Sequence, residues 1–209
     1  ELDKSNIQSK FIRGLRVTDE KIINIVESVL IDFNNDIVDS LKKFGTDAVS
    51  IHTKKNNIIK VTPEAKELGF VGIPNKIDNN LIEKILNKKQ VPIISPLGLG
   101  NDNHPYNING DTAAGAIAKS LKSRRLLLMT NVEGVLDKDK KLIDEISSSE
   151  ILKMIEDNTI TEGMIPKINT CLDAVNNGVT AVGIIDGRKQ HSILFEIFSD
   201  KGSGTLIRK

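Results

Sequence analysis

Four polar segments of this 209-residue chain combine residue types suited to handling anions. Arg16, in Phe11-Ile12-Arg13-Gly14-Leu15-Arg16-Val17-Thr18-Asp19, offers a planar fork of donors that can clamp a carboxylate at two points, although such a run is also an ordinary basic turn before a helix cap. Asn107, Asn109 and Asp111 alternate along Tyr106-Asn107-Ile108-Asn109-Gly110-Asp111-Thr112. Any one of them can cap a helix, but three short polar groups share one face if the segment is extended, which exceeds what a cap requires. Asn side chains donate to a carboxylate and accept from an amide N–H, the two tasks set by an acylated amino acid. Asn131-Val132-Glu133-Gly134-Val135-Leu136 follows an apolar run and is either a plain turn or a place for a nucleotide across strand ends. In Thr159-Ile160-Thr161-Glu162-Gly163-Met164-Ile165-Pro166-Lys167, proline sits in the first turn of a helix, and Lys167 follows beside free N–H groups that favour anions. A lone lysine there is ordinarily surface, so its weight comes from the other three segments.

The elements that must position these groups alternate in type. Thr18 or Asp19 caps a helix with Ile22, Ile23, Val26, Val29, Leu30 and Phe33 at helical spacing, and Ala48-Val49-Ser50-Ile51-His52 reads as a strand. Residues 58–74 carry short β-type runs broken by Pro63 and Gly69, before an Asp78-capped helix with Leu81, Ile82, Ile85 and Leu86. Val91-Pro92-Ile93-Ile94-Ser95 is a strand, residues 98–106 a polar loop, and residues 111–121 an Ala-rich helix. Residues 126–129 form a buried-type strand. Ser147-Ser148-Ser149-Glu150 is a capping box, residues 164–177 a helix stopped by Gly178, and residues 179–185 another buried-type strand. Short strands alternating with helices predict an α/β sandwich with a mainly parallel sheet, whose ligands gather at strand carboxyl ends.

Composition narrows the function classes. Lys+Arg at 29 against Asp+Glu at 28 gives a net charge of +1, which advertises neither a nucleic-acid nor a membrane-surface partner. No stretch approaches the roughly 20 apolar residues of a membrane span, and Glu1-Leu2-Asp3-Lys4 has no signal-peptide core. The single cysteine, Cys171, falls inside an apolar helical pattern and predicts a small buried residue in a reducing cytoplasm. With no Trp and one Tyr, the core must rest on Ile, Leu and Val.

Together the four segments resemble acetylglutamate kinases of the amino-acid-kinase superfamily. The resemblance continues through Ile185-Asp186-Gly187-Arg188, residues 191–196 and Gly202-Ser203-Gly204-Thr205-Leu206-Ile207, and covers the chain from about Lys10. It implies a three-layer αβα sandwich with a mainly parallel central sheet and its first strands missing. Residues 1–209 would form a single amino-acid-kinase domain, about 1–110 being the remainder of a substrate-binding lobe and about 111–209 a nucleotide-binding lobe. It also implies ATP-dependent phosphorylation of the side-chain carboxylate of N-acetyl-L-glutamate, the second step of arginine biosynthesis, with Mg²⁺ bound mainly through the phosphates and no dedicated metal site.

Position by position, Arg16, Asn107 and Asn109 resemble substrate-binding residues. Asp111 resembles the carboxylate that organises the catalytic lysines, and Lys167 the lysine that stabilises the transferring phosphoryl group. Asn131, Val132, Glu133, Gly134, Val135 and Leu136, with Thr159, Ile160 and Thr161, resemble ATP-binding segments. Glu196, Gly202 and Gly204 fall where arginine-sensing members place their effector segment. The implied partners are the two substrates, further copies of the chain as a dimer or hexamer, an arginine effector and a nitrogen-signalling protein.

The chain departs from the family pattern at Gly110, where alanine is usual, at Asn131, where aspartate is common, and at Glu162, where glycine is common. The family's Lys-x-Gly-Gly strand and His-Gly-Gly-Gly loop are absent, since no two glycines are adjacent. That makes the chain look like a fragment with negligible kinase activity by itself. The implied chemistry needs no general base, because a carboxylate is already ionised at neutral pH; it needs positioning and cationic charge. Two other readings compete: a kinase for a homologue one methylene longer, such as acetylaminoadipate, and a binding-only regulatory subunit. A dinucleotide-binding dehydrogenase is disfavoured, because Gly98-Leu99-Gly100 lacks the third glycine and the immediate helix.

Overall fold

A computed structural model describes residues 1–160, 164–199 and 202–209. The chain divides into two compact units, Glu1–Ala113 and Ala114–Lys209.

In the first unit, β1 (Phe11–Ile12) and β2 (Leu15–Arg16) form an antiparallel hairpin. The long helix α1 (Glu20–Lys43) follows, then β3 (Ala48–Ile51), β4 (Ile59–Pro63), β5 (Gly72–Ile77), α2 (Asn79–Asn87), β6 (Val91–Ile94), β7 (Leu97–Leu99) and β8 (Pro105–Asn107). Parallel β3 and β6 make one sheet; the other runs β5-β4-β7-β8, with β4 and β7 parallel and the remaining pairs antiparallel. The expected polar loop at 98–106 is therefore a short antiparallel pair. Its turn closes where Gly100 N–H donates to His104 O at 3.0 Å.

The α1 cap is as read: Asp19 accepts from Ile22 N–H at 2.8 Å. Its apolar stripe is narrower than expected. Ile22, Ile23 and Val38 are buried, whereas Val29 and Phe33, one turn apart on another face, are exposed. Buried Asn34 stands on the inner face. Its amide donates to Ile93 O at 2.8 Å and its oxygen accepts from Ser50 Oγ at 2.7 Å, so one side chain ties α1 to both parallel strands.

α3 (Gly110–Ser120) carries the chain into the second unit, followed by β9 (Arg125–Thr130), β10 (Glu145–Ser147), α4 (Ser148–Glu156), α5 (Ile165–Asn176), β11 (Ala181–Asp186), α6 (Ser192–Phe198) and β12 (Gly204–Arg208). The sheet order is β10-β12-β11-β9, with β9 and β10 parallel to their neighbours and β12 antiparallel to β11. All six residues of β11 are buried. Its Val182 and Ile184 share a core with Leu128, Ile151, Ile168, Cys171 and Ile207. At about 1.5–3 kcal/mol per fully buried aliphatic side chain, this packing outweighs exposed ion pairs such as Lys138–Asp157, which water screens. The capping box at Ser147 and Glu150 forms as read, and Pro166 lies in the first turn of α5.

Substituting Asn34 by alanine removes its bonds to the Ile93 carbonyl and from the Ser50 hydroxyl, which keeps Asn35 Oδ1 at 3.0 Å as an acceptor. The Asn34→Ala chain should lose about 2 kcal/mol in urea unfolding with an unchanged m-value.

Candidate active site

The anion-handling residues of the first unit are held by backbone. Arg16 ends β2, with its guanidinium 4.8 Å above the Phe11 ring and donating to Ser9 Oγ. Two residues on, wholly buried Thr18 returns its hydroxyl to Arg16 O at 2.9 Å. Asn107 ends β8, and its N–H donates to Phe70 O at 2.9 Å. The face expected to unite Asn107, Asn109 and Asp111 does not form, because α3 begins at Gly110 and makes Asp111 helical. Asn109 instead takes the capping role: its oxygen accepts from Asp111 N–H at 3.0 Å and Thr112 N–H at 3.2 Å. Asp111, in the first turn, is where a helix favours negative charge.

In the second unit, a cavity of about 420 Å³ opens beside the carboxyl end of β9. Asn131, Val132, Gly134, Val135, Leu136, Thr159, Ile160 and Lys167 line it, so most of the residues read as nucleotide-binding share one hollow with the lysine of α5. Thr130 and Met164 line it as well and were missed. The signal for Thr130 was its place at the end of the apolar run from Leu126; Met164, read as the first residue of a helix, is instead the N-cap of α5. Glu133 does not line the cavity, and its charge acts on Arg188 instead. Thr161 lies outside the described residues, as does Glu162.

The loop is fixed from the far end of the chain. Val135 N–H donates to buried Thr205 Oγ1 of β12 at 2.8 Å, and Ile143 N–H to Val135 O at 2.9 Å. Gly134 lies at φ +152°, and a Cβ there would stand 2.5 Å from Thr205 Oγ1, so the loop can lie down on β12 only with glycine. Across the cavity, Asp157 accepts from Thr159 N–H at 3.1 Å; hydrogen bonds from Lys138 and then Thr159 pull its carboxyl down to about 2. At the end of β11, Arg188 bonds both oxygens of Asp186, at 2.9 and 2.8 Å, and draws that carboxyl down to about 2. The ion pair stiffens the turn beside β9, where Gly187 N–H donates to Thr130 O at 2.7 Å.

Glu196, read as an effector ligand, is buried. Its Oε2 accepts from Ser203 N–H at 2.9 Å, and its Oε1 lies 3.9 Å from Arg125 Nη1. Gly202 packs against that carboxylate, where a Cβ would meet Oε2 at 2.7 Å, and Gly204 packs against the Ile184 carbonyl. Another hollow, of about 450 Å³ between Asn57, Lys60, Lys76 and Asp78 of the first unit, contains none of the expected residues. Among the described residues, no three His, Cys, Asp or Glu side chains group as a metal site, and no helix is long and apolar enough to cross a membrane.

Residues 1–186 match the model of the amino acid kinase family. The acetylglutamate kinase of Pelagibacter ubique (strain HTCC1062) is 56% identical over 204 residues, covering 98% of this chain and 71% of that protein. The acetylglutamate kinase of Methylobacterium nodulans is 43% identical over 222 residues, covering 100% of this chain and 73% of that protein. The solved structure of N-acetylglutamate synthase from Neisseria gonorrhoeae, complexed with coenzyme A and N-acetyl-glutamate, matches with a TM-score of 0.89 over 99% of this chain and 48% of that one; at 24% identity the likeness is one of fold. An α/β chain that matches a kinase family over most of its length, and shares more than half its residues with one relative, has one placement: it belongs to the amino acid kinase family.

Proposed function

We propose that this chain acts as an acetylglutamate kinase, moving the γ-phosphoryl group of ATP onto the side-chain carboxylate of N-acetyl-L-glutamate to give ADP and an acyl phosphate, a step of arginine biosynthesis. The observation that carries the reading is the shared cavity of Lys167 and loop 131–136, in a chain 56% identical to an acetylglutamate kinase. The attacking carboxylate is an anion before it meets the enzyme, so no side chain has to remove a proton. The obstacle is electrostatic, because one anion must approach another. Groups that lower this barrier hold positive charge where the phosphoryl oxygens pass.

In this reading the first unit holds acetylglutamate and the second holds ATP. Lys167, beside the free N–H groups at the start of α5, faces the transferring phosphoryl group, and the 131–136 loop and Thr159 hold the nucleotide. Asp111 organises the lysine charge, Arg16 grips the substrate's α-carboxylate, and Asn107 and Asn109 bind the acylated amino group. Among the described residues, amide, hydroxyl and ammonium groups line the cavity without a carboxylate, which suits a cation that arrives on the nucleotide. Mg²⁺ held mainly by the phosphates would add positive charge to the transferring group. Exposed Val29 and Phe33 on α1 support self-association, and a biosynthetic role of this kind belongs in the cytoplasm.

A coupled ADP-release assay of the parent chain first tests the expectation of negligible activity, and measurable turnover overturns it; two substitutions in the active chain then separate the roles. Lys167→Ala should lower kcat by about 100-fold or more while moving KM for ATP less than about threefold, because its interaction strengthens in the transition state. A change confined to KM would remove that role. Arg16→Ala should raise KM for N-acetylglutamate by about 10- to 100-fold and leave KM for ATP nearly unchanged, as expected on losing a charge-assisted hydrogen-bond pair. Equal effects on both substrates would remove the assignment of Arg16.

A further inference from the structure

Residues 68–71 of the first unit form the middle of a three-segment strip that joins the Arg16 segment to Asn107. Thr18 N–H donates to Leu68 O at 2.9 Å, Phe70 N–H to Thr18 O at 2.7 Å, and Asn107 N–H to Phe70 O at 2.9 Å. Parallel bridges pair Thr18 with Gly69 and Val71 with Asn107. The Phe70 peptide is thus the link through which the two segments are held at a fixed spacing. Gly69 makes the approach feasible: at φ +67°, a Cβ there would sit 2.3 Å from Thr18 O.

What holds Phe70 is its ring. It stacks on the His104 imidazole, with centroids 4.4 Å apart and planes at 20°, and meets Tyr106 edge-on at 5.5 Å. His104 is itself fixed, with its backbone N–H donating to Asp102 Oδ1 at 3.0 Å and its Nε2 lying 3.2 Å from Glu20 Oε1 in the first turn of α1. Tyr106 OH donates to the other Asp102 oxygen at 3.3 Å. Aromatic pairs of this geometry add to simple burial and resist sliding. We propose that Phe70, clamped by His104 and Tyr106, is a positioning residue that sets the spacing between Arg16 and Asn107, and so the affinity for the acylated amino acid, without touching it. The effect on affinity rests on the substrate reading above; the spacing does not.

The test is run on the whole chain with N-acetyl-L-glutamate and ATP as probes. Phe70→Leu keeps an apolar side chain but loses the stack, Phe70→Tyr keeps it, His104→Ala removes its partner and His104→Phe restores an aromatic one. Amide exchange by NMR should accelerate at position 70 and at Asn107 by about tenfold or more in Phe70→Leu and His104→Ala, with β11 amides unchanged. In the same two variants the Kd for N-acetylglutamate should rise about tenfold while that for ATP stays within about twofold, and Phe70→Tyr and His104→Phe should return both readouts toward the parent values. Should Phe70→Leu fail to fold, the His104 pair carries the comparison. Parent-like exchange at Asn107 in His104→Ala, or equal losses in Phe70→Tyr and Phe70→Leu, would overturn the proposal. If exchange responds as expected but the parent chain binds ATP and not N-acetylglutamate, the positioning role stands and the substrate reading falls.

Discussion

The second unit depends on the parallel pairing of β9 with β11. Six consecutive residues of β11 are withdrawn from water, and Val182 to Asp186 run in register with Leu126 to Thr130. Because the two strands point the same way, their carboxyl ends, Thr130 and Asp186, arrive side by side. Loops leaving that edge must turn back over it, and one of them is the wall of the cavity that holds Lys167. A polar hollow at the rim of an apolar sheet is what parallel pairing produces when both faces are covered.

Charge is arranged to suit the proposed chemistry. Carboxylates near the rim are engaged: Asp186 is bound by Arg188, and Asp157 by Lys138 and Thr159. Each stays ionised far below neutral pH, so neither serves as a proton carrier, and a reaction between two anions asks for none. Among the described residues, the Lys167 ammonium lines a cavity with neutral amide, hydroxyl and apolar side chains. An ammonium in that position favours an anionic ligand over a metal ion.

Much of this was legible because the signals are local. The Asp19 cap, the capping box at Ser147, the proline at the start of α5 and the apolar runs that became β9 and β11 are each written within a few residues. What was illegible depends on distant partners. No local pattern shows that Phe33 faces outward while Asn34 binds across β3 and β6, since both fit one helix. The alternation of Asn107, Asn109 and Asp111 suggested an extended face, but Asn109 caps α3 and bends the chain out of that register. The Phe70 strip escaped entirely, because its three segments lie far apart in sequence and meet by only a few hydrogen bonds.

The bond from Val135 to Thr205 spans 70 residues, and it has a bearing on how the protein is made. A ribosome delivers β9 and the loop after it long before β12 emerges, so the loop spends that interval without the hydroxyl that anchors it. Ile207, wholly enclosed in the finished core, arrives with β12. The loop therefore takes its anchored form only once β12 has emerged, and until then the edge of β11 that β12 will cover is left unpaired.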